Sequence, residues 1–184
     1  VLSIGGSESE VLYQWAGVCT DSGGNIYVTD MLDCSIKKFD SQGEMKKKAG
    51  QKGQAPAEFI KPAGIYCSED RVYVLDLFKP GIQVFDTSLA YINQIMPSFR
   101  LPVNDVHILG RDRIIVNSNA GKNEMMVIDH KGKLVSAVPY WKNDEKGSFF
   151  SSGMGDFVID RKDYIYIAFL GRDVILKFDM NGNR

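Results

Sequence analysis

The sequence has little histidine and almost no net charge. Its 184 residues include two histidines, His107 and His130, and a zinc site needs three or four convergent ligands. We therefore interpret His107 as a hydrogen-bonded interior side chain and His130 as a solvated turn residue. Lysine and arginine (22) nearly balance aspartate and glutamate (23), which leaves a net charge of −1. This balance gives no general attraction to nucleic acid, and we expect no nucleic-acid partner.

Long hydrophobic runs are also missing, and cysteine is scarce. No apolar stretch approaches the ~20 residues that span a bilayer, so we expect no membrane insertion. The chain opens V-L-S-I-G-G, which has neither the basic start nor the apolar length of a signal peptide. Three cysteines are an odd number and argue against a disulfide framework. Because Cys19 and Cys67 fall one register apart in their repeats and Cys34 lies in a connecting loop, we expect no intrachain disulfide.

The sequence contains four copies of one strand pattern. The copies are I-Y-V-T-D from Ile26, V-Y-V-L-D from Val72, I-I-V-N-S from Ile114 and I-Y-I-A-F from Ile165. Each is followed, at a nearly constant distance, by an apolar residue and an aspartate: Phe39-Asp40, Phe85-Asp86, Ile128-Asp129 and Phe178-Asp179. A fixed internal spacing with variable joins is typical of a repeated supersecondary unit.

The repeats predict an all-β fold. Short β-branched and aromatic runs alternate with polar turns, and no helical period of useful length is present. Four antiparallel strands in ~40–45 residues match the size of a β-propeller blade. We predict a single propeller domain, or part of one, over 1–184. Its repeat units are 15–62, 63–102, 103–152 and 153–184, and residues 1–14 end a preceding blade.

Three segments resemble the NHL repeat family: 17–30 (G-V-C-T-D-S-G-G-N-I-Y-V-T-D), 36–43 (I-K-K-F-D-S-Q-G) and 50–62 (G-Q-K-G-Q-A-P-A-E-F-I-K-P). The resemblance implies a six-bladed ring, of which this chain would hold about four blades. It also implies a range of functions, including protein binders, RNA binders, sensors and a few lyases, and it favours an extracytoplasmic or periplasmic location. If the chain instead closed as four blades, residues 1–4 would pair with 174–178; we favour part of a larger ring.

Several acidic positions are candidates for chemistry. Asp105 and Asp156 replace glycines of the first two units and, with Asn104, could bind a channel cation such as calcium. Loop capping by these carboxylates is the simpler interpretation. Asp30 and Asp76 end equivalent strands, so their repetition indicates a structural hydrogen bond. No nucleophile motif, phosphate loop or metal-type cysteine spacing occurs, and we predict no catalytic residue and no cofactor beyond that cation.

The connections at one end of the predicted blades are rich in aromatic residues and arginine. Function often lies on loops held by a rigid scaffold, and these residue types are typical of interfaces. We predict a binding face that carries Phe78, Arg100, Trp141 and Arg172. Trp15 is expected to be buried, because it occupies the position of Pro62. The predicted function is a non-catalytic binding, scaffold or sensor propeller with a protein partner, a small-molecule ligand being second. The alternative is a metal-dependent lyase or hydrolase whose channel carboxylates hold a cation.

Overall fold

The structure is a computed structural model that describes residues 2–4, 12–68, 70–97, 103–109, 113–118, 124–139, 155–160, 162, 164–169 and 175–179. Within these residues the chain forms fifteen β-strands and no helix. A search of the same residues for a helix that is long and apolar enough to cross a membrane found none.

The strands form four antiparallel sheets in which spatial order follows chain order. The first sheet contains β1 (Trp15–Thr20), β2 (Ile26–Asp30), β3 (Ser35–Phe39) and β4 (Met45–Ala49). The second contains β5 (Pro62–Cys67), β6 (Arg71–Asp76), β7 (Ile82–Asp86) and β8 (Tyr91–Ile95). The third contains β9 (Val103–Leu109), β10 (Arg113–Ser118), β11 (Glu124–Ile128) and β12 (Leu134–Pro139). In the fourth, β13 (Gly155–Ile159), β14 (Ile165–Phe169) and β15 (Ile175–Phe178) are described. The predicted all-β fold of four-stranded antiparallel blades is confirmed.

The second sheet is buried on both of its faces. Val72 and Val74 of β6 belong to the apolar cluster shared with the first sheet. Tyr73 and Leu75, which alternate with them, pack in the cluster shared with the third sheet. Successive side chains of a strand point to opposite faces of the sheet. A strand whose sheet is packed on both faces therefore needs apolar residues at almost every position. The first strands follow one another, since β5 contacts β1 and β9 contacts β5. This is the succession of blades in a propeller.

Aspartates close the tight turns of the sheets in one repeated geometry. In each case one carboxylate oxygen accepts hydrogen bonds from the backbone N–H groups two and four residues later. Such bonds replace backbone partners that a turn cannot supply, which explains why aspartate recurs at the ends of the strands. The aspartates are Asp21, Asp40, Asp86, Asp129 and Asp160.

The connection from the first sheet to the second is fixed by one buried ring. Phe59 is fully buried, and its ring centroid lies 6.0 Å from that of Phe85. Gly50 has a φ of 93°, and a Cβ there would lie 2.6 Å from the Phe59 ring. Glycine at this position therefore permits both the left-handed backbone and the close approach of the ring.

The amino-terminal segment does not take the position that four-blade closure would require. Residues 2–4 are not assigned to a strand, and the side chains of Leu2 and Ile4 lie near the turn at Gly43 of the first sheet. In the described part of the chain, β15 pairs with β14 alone. The residue bounds of the repeat units and the number of blades in a complete ring stay predictions.

The expectation of no disulfide is wrong. Cys19 of β1 and Cys67 of β5 are bonded, with a Cα–Cα distance of 5.7 Å. The offset of one register between the repeats does not separate them, because the first strands of neighbouring sheets lie against each other. The close approach of the β1 and β5 backbones therefore brings the two cysteines together despite their offset of one register. Cys34 is a buried free thiol whose Sγ lies 3.3 Å from the carbonyl oxygen of Ile60.

The disulfide should stabilise the protein measurably. It closes a loop with a sequence separation of 48, for which the chain-entropy relation gives about 4 kcal/mol. The Cys19→Ser/Cys67→Ser variant should lose up to that free energy of unfolding in guanidinium denaturation. A reducing agent should lower the free energy of unfolding of the parent to that of the variant and should leave the value for the variant unchanged. Titration of the unreduced, unfolded parent should detect one thiol; detecting three would contradict the bond.

Candidate functional site

Connections at the two ends of the sheets differ in length and composition. We call one end the long-loop face; its described parts are residues 12–14, 31–34, 50–61 and 77–81. We call the other end the short-turn face; its described turns include 21–25, 40–44 and 87–90. Because consecutive strands are antiparallel, connections alternate between these faces along the chain.

Large apolar side chains are exposed together on the long-loop face. Phe78 is 64% exposed and Trp15 66% exposed. Their neighbours of the same kind on this face are Tyr13, Leu32 and Leu77. These residues lie at the ends of β1 and β2 in the first sheet and of β6 in the second. The two sheets are neighbours, because their first strands β1 and β5 contact each other. Scattered exposed apolar residues are ordinary, whereas a concentration at one end of adjacent sheets marks a candidate interaction surface.

The expected burial of Trp15 is wrong. Trp15 and Pro62 occupy equivalent positions, since each pairs with the aspartate that ends the following strand. Pro62 is buried, but the indole of Trp15 is exposed. Among the described strands, β5 lies between the first strands β1 and β9, whereas β1 contacts the first strand β5 on one side, so Pro62 is covered and Trp15 is not. The chain thereby gains an exposed tryptophan next to Tyr13.

Two cation–aromatic contacts contribute to this face. The Lys61 Nζ lies 5.9 Å from the centroid of the Phe78 ring, and the Lys37 Nζ lies 5.2 Å from that of Tyr13. Lys61 is exposed, so its contact is weakly attractive and places positive charge beside the Phe78 ring. Lys37 is buried and its charge is paired with carboxylates of the first sheet.

Buried aspartates at the ends of β2 and β6 hold the loops of the face in place. Asp30 accepts hydrogen bonds from the backbone N–H groups of Tyr13 (2.8 Å) and Gln14 (3.0 Å). Asp76 accepts equivalent bonds from Ile60 (2.7 Å) and Lys61 (3.0 Å). Each aspartate thus ties the segment entering its sheet to the end of the second strand. The predicted structural role of these repeated aspartates is confirmed.

A buried ion pair strengthens the first of these junctions. The Lys37 Nζ lies 2.9 Å from the Asp30 carboxylate and 3.0 Å from that of Asp33. Burial by itself raises the pKa of Asp30, but hydrogen bonds from Lys37 and from the N–H groups of Tyr13 and Gln14 outweigh it and lower the pKa to about 2. Asp30 is therefore charged at neutral pH.

The long connection 50–61 is held by side chains of the second sheet. The Lys79 Nζ donates to the carbonyl oxygens of Ala55 (2.8 Å) and Glu58 (2.7 Å). The Gln83 amide donates to the Glu58 carbonyl and accepts from the Ala57 N–H, both at 2.8 Å. These bonds give an irregular loop a defined path, as a preformed binding surface requires.

Three of the predicted binding residues, Arg100, Trp141 and Arg172, lie outside the described residues. Asp105 and Asp156 fall in β9 and β13, the first strands of their sheets, but their side chains lie outside the described part. Among the described residues, no group of three or more His, Cys, Asp or Glu could hold a metal ion. The channel cation stays a prediction.

Sequence reasoning missed Leu32 and Leu77 on the long-loop face. Each follows a strand-ending aspartate closely, in the motifs Asp30-Met-Leu32 and Asp76-Leu77. An apolar residue just after a capping aspartate, where a turn normally carries polar residues, was the available signal.

Successive antiparallel sheets whose first strands contact one another are the architecture of a β-propeller. Comparisons with known proteins indicate the same fold. A family described as a 6-bladed beta-propeller matches residues 8–103, and the chain belongs to this family. The specific resemblance to the NHL repeat stays a prediction. A search of curated proteins found no match.

Solved structures support the same fold. A catalytically inactive virginiamycin B lyase from Staphylococcus aureus with quinupristin has a TM-score of 0.66 at 13% identity, covering 95% of this chain and 56% of that one. A Bacteroides caccae protein of unknown function has a TM-score of 0.64 at 14% identity, covering 95% and 61%. A putative exported protein from Bacteroides fragilis has a TM-score of 0.65 at 16% identity, covering 97% and 53%. The chain spans little more than half the length of these structures, and at such identities they show the fold alone.

Removing the Asp30 carboxylate should destabilise the face. Asp30→Asn removes one of the two carboxylates, of Asp30 and Asp33, that lie within 3.0 Å of the Lys37 Nζ, and breaking a buried pair from one side costs about 3 kcal/mol. We expect a loss of that size in the free energy of unfolding at pH 7, measured by denaturant titration. Asp70→Asn, at an exposed carboxylate, should change it by less than about 0.5 kcal/mol.

The same aspartate should contribute to acid unfolding. Its folded-state pKa of about 2 lies below the unfolded value of about 3.9, so its stabilisation is present above about pH 4 and is lost as pH falls towards 2. The parent should therefore lose more stability across this window than Asp30→Asn. Equal losses in the two proteins would show that Asp30 does not carry the effect.

Proposed function

We propose that the protein is a non-catalytic binding propeller, a scaffold or sensor module whose long-loop face engages a protein partner. The observation that carries the proposal is the group of five exposed apolar side chains on that face. Their loops are tied to the sheets by buried aspartates, so the surface is presented without large rearrangement. Preorganisation of this kind lowers the entropic cost of association.

The chemistry of the face favours a protein partner. Aromatic residues are enriched where proteins meet, and tryptophan, tyrosine and arginine dominate binding energy. Trp15, Tyr13 and Phe78 provide the rings. Arg100, Trp141 and Arg172 are proposed to extend the same surface, because their positions in the repeats correspond to connections at this end of the sheets. A small molecule bound between the loops is the second candidate ligand.

An oxidising compartment suits the disulfide. Bonds such as Cys19–Cys67 form and persist in extracytoplasmic environments and are uncommon in the reducing cytosol. One protein of similar fold is described as a putative exported protein. We therefore propose that the protein acts outside the cytoplasm, and its partner should be sought there.

A metal-dependent lyase or hydrolase is the alternative function. Asp105 and Asp156 lie on the first strands of the third and fourth sheets, where a propeller borders its channel, and carboxylates there could hold a cation such as calcium. A virginiamycin B lyase shares the fold, and this likeness alone does not transfer its activity.

Substitution of the exposed rings tests the binding face. Partners captured from an extracytoplasmic extract would be purified and their affinity for the parent measured by biolayer interferometry. We expect Phe78→Ala and Trp15→Ala each to weaken binding about tenfold or more, since interface anchors contribute at least about 1.4 kcal/mol. Val135→Ala, at an exposed apolar residue of β12, serves as the matched control and should leave affinity unchanged. The proposed face is wrong if the Phe78 and Trp15 variants bind as tightly as the control.

Metal content separates the two functions. The purified protein would be analysed for bound calcium and transition metals, together with Asp105→Asn and Asp156→Asn. For a binding propeller we expect partner affinity to survive chelation and both substitutions. A stoichiometric cation that is lost in both variants would favour the metal-dependent enzyme.

A further inference from the structure

A cleft of about 920 Å³ is lined by residues of the short-turn face and extends along the second sheet to Ile95 of β8. It reaches from the turn after β1, past the end of β5, to the outer strand β8 of the second sheet and the turn after β11. Ligand sites commonly enclose about 300–1,000 Å³ and combine an apolar lining with a few directed polar groups. We propose that this cleft is a second binding site, which takes a neutral oligosaccharide of about two or three sugar units.

Tyr66 of β5 provides the accessible aromatic ring of the cleft, and its cross-strand partner Tyr73 of β6 is a core residue of the second sheet. Both tyrosines line the cleft. Tyr73 is almost fully buried, while Tyr66 is partly accessible. Val84 and Ile95, also buried, continue the apolar lining. Tyrosine offers a flat apolar body together with a polar tip, which suits the C–H face and the hydroxyl rim of a sugar ring.

Polar groups of several kinds surround this apolar floor. Asp21, Asp70, Arg71, Asn93 and His130 also line the cleft. The His130 ring centroid lies 6.4 Å from that of Tyr73. Burial raises the pKa of both Tyr66 and Tyr73, so their hydroxyls are protonated at neutral pH. Hydroxyl, amide and carboxylate groups together offer the mixed donors and acceptors that sugar hydroxyls need.

The charge balance of the lining disfavours an anionic ligand. The Arg71 guanidinium lies 2.8 Å from the Asp70 carboxylate, so its charge is largely compensated. Asp21 adds a further carboxylate, which accepts hydrogen bonds from the Asn25 amide and the Tyr27 hydroxyl. Among the described lining residues, a phosphate or carboxylate ligand would meet two acidic groups beside one paired arginine, whereas a neutral polyol would meet no net repulsion.

The disulfide fixes one wall of the cleft. Cys67 lines it, and its bond to Cys19 joins β5 to β1, the strand that leads to the Thr20–Asp21 side of the cleft. Two walls from different sheets are therefore covalently connected. A site whose walls are held before binding loses less conformational entropy on ligand capture.

The test uses maltotriose, cellotriose and triacetylchitotriose as neutral probes, with inorganic phosphate and tetramethylammonium as charged comparisons. Binding to the full chain would be measured by isothermal titration calorimetry and ligand-observed NMR. We expect at least one trisaccharide to bind and both charged probes to fail. Asn93→Ala and Asp70→Ala, at exposed lining residues, should each weaken trisaccharide binding about tenfold.

Ile175→Ala is the matched control, because Ile175 is an exposed apolar residue of β15 that does not line the cleft; it should bind the trisaccharide as the parent does. Circular dichroism and thermal unfolding would establish that the cleft variants are folded. Failure of all three trisaccharides, binding of a charged probe in their place, or undiminished affinity in both cleft variants would overturn the proposal. None of these results bears on the long-loop face, whose test depends on Phe78 and Trp15.

Discussion

The hydrogen bond from a strand-ending aspartate to the segment that enters the same sheet is the interaction on which the rest of the structure depends. Asp30 and Asp76 each bind two consecutive backbone N–H groups that no strand partner satisfies. Buried N–H groups without partners are costly, so these carboxylates allow the chain to turn into a new sheet within the protein. In both sheets this hydrogen bond positions the first strand of the sheet against its second strand. The remaining strands then follow through short hairpin turns.

The two ends of the sheets differ in what their connections join. Those of the short-turn face join strands within one sheet, and the long-loop face also carries the connections between sheets. Turns on the short-turn face are closed by their own aspartates, and the 87–90 turn also accepts hydrogen bonds at the Thr87 carbonyl from Tyr27 and Lys38 of the first sheet. Connections on the long-loop face must cross from one sheet to the next, and they are held by long-range contacts such as Lys79 and Gln83 with the Glu58 carbonyl. Residues on such connections can vary in side chain while the backbone stays fixed. This is a favourable setting for an interaction surface.

The fold could be predicted from the sequence because its signals are local and repeated. Strand alternation, the Asp-capped turns and the constant spacing within each unit all indicate the same structure, and consistency across levels is what makes a sequence specify its fold. The role of Asp30 and Asp76 followed from repetition alone. These features depend on residues near one another in the chain.

The errors concern contacts between sheets. The Cys19–Cys67 bond depends on how closely two first strands approach each other, and no local pattern encodes that distance. The exposure of Trp15 depends on which first strands lie beside β1, and among the described strands this is β5. The cleft beside Tyr66 and Tyr73 likewise arises from turns contributed by different sheets. Properties set by the relative placement of repeats cannot be read from the repeats one at a time.

The covalent link between the first two sheets also changes how the chain responds to cleavage. The exposed segment around residues 54–56 lies between Cys19 and Cys67, so a protease that cuts there opens a loop without releasing a fragment. The two pieces remain one molecule, joined at the strands where the sheets meet. A protein exposed to extracellular proteases would in this way tolerate cleavage of this exposed connection.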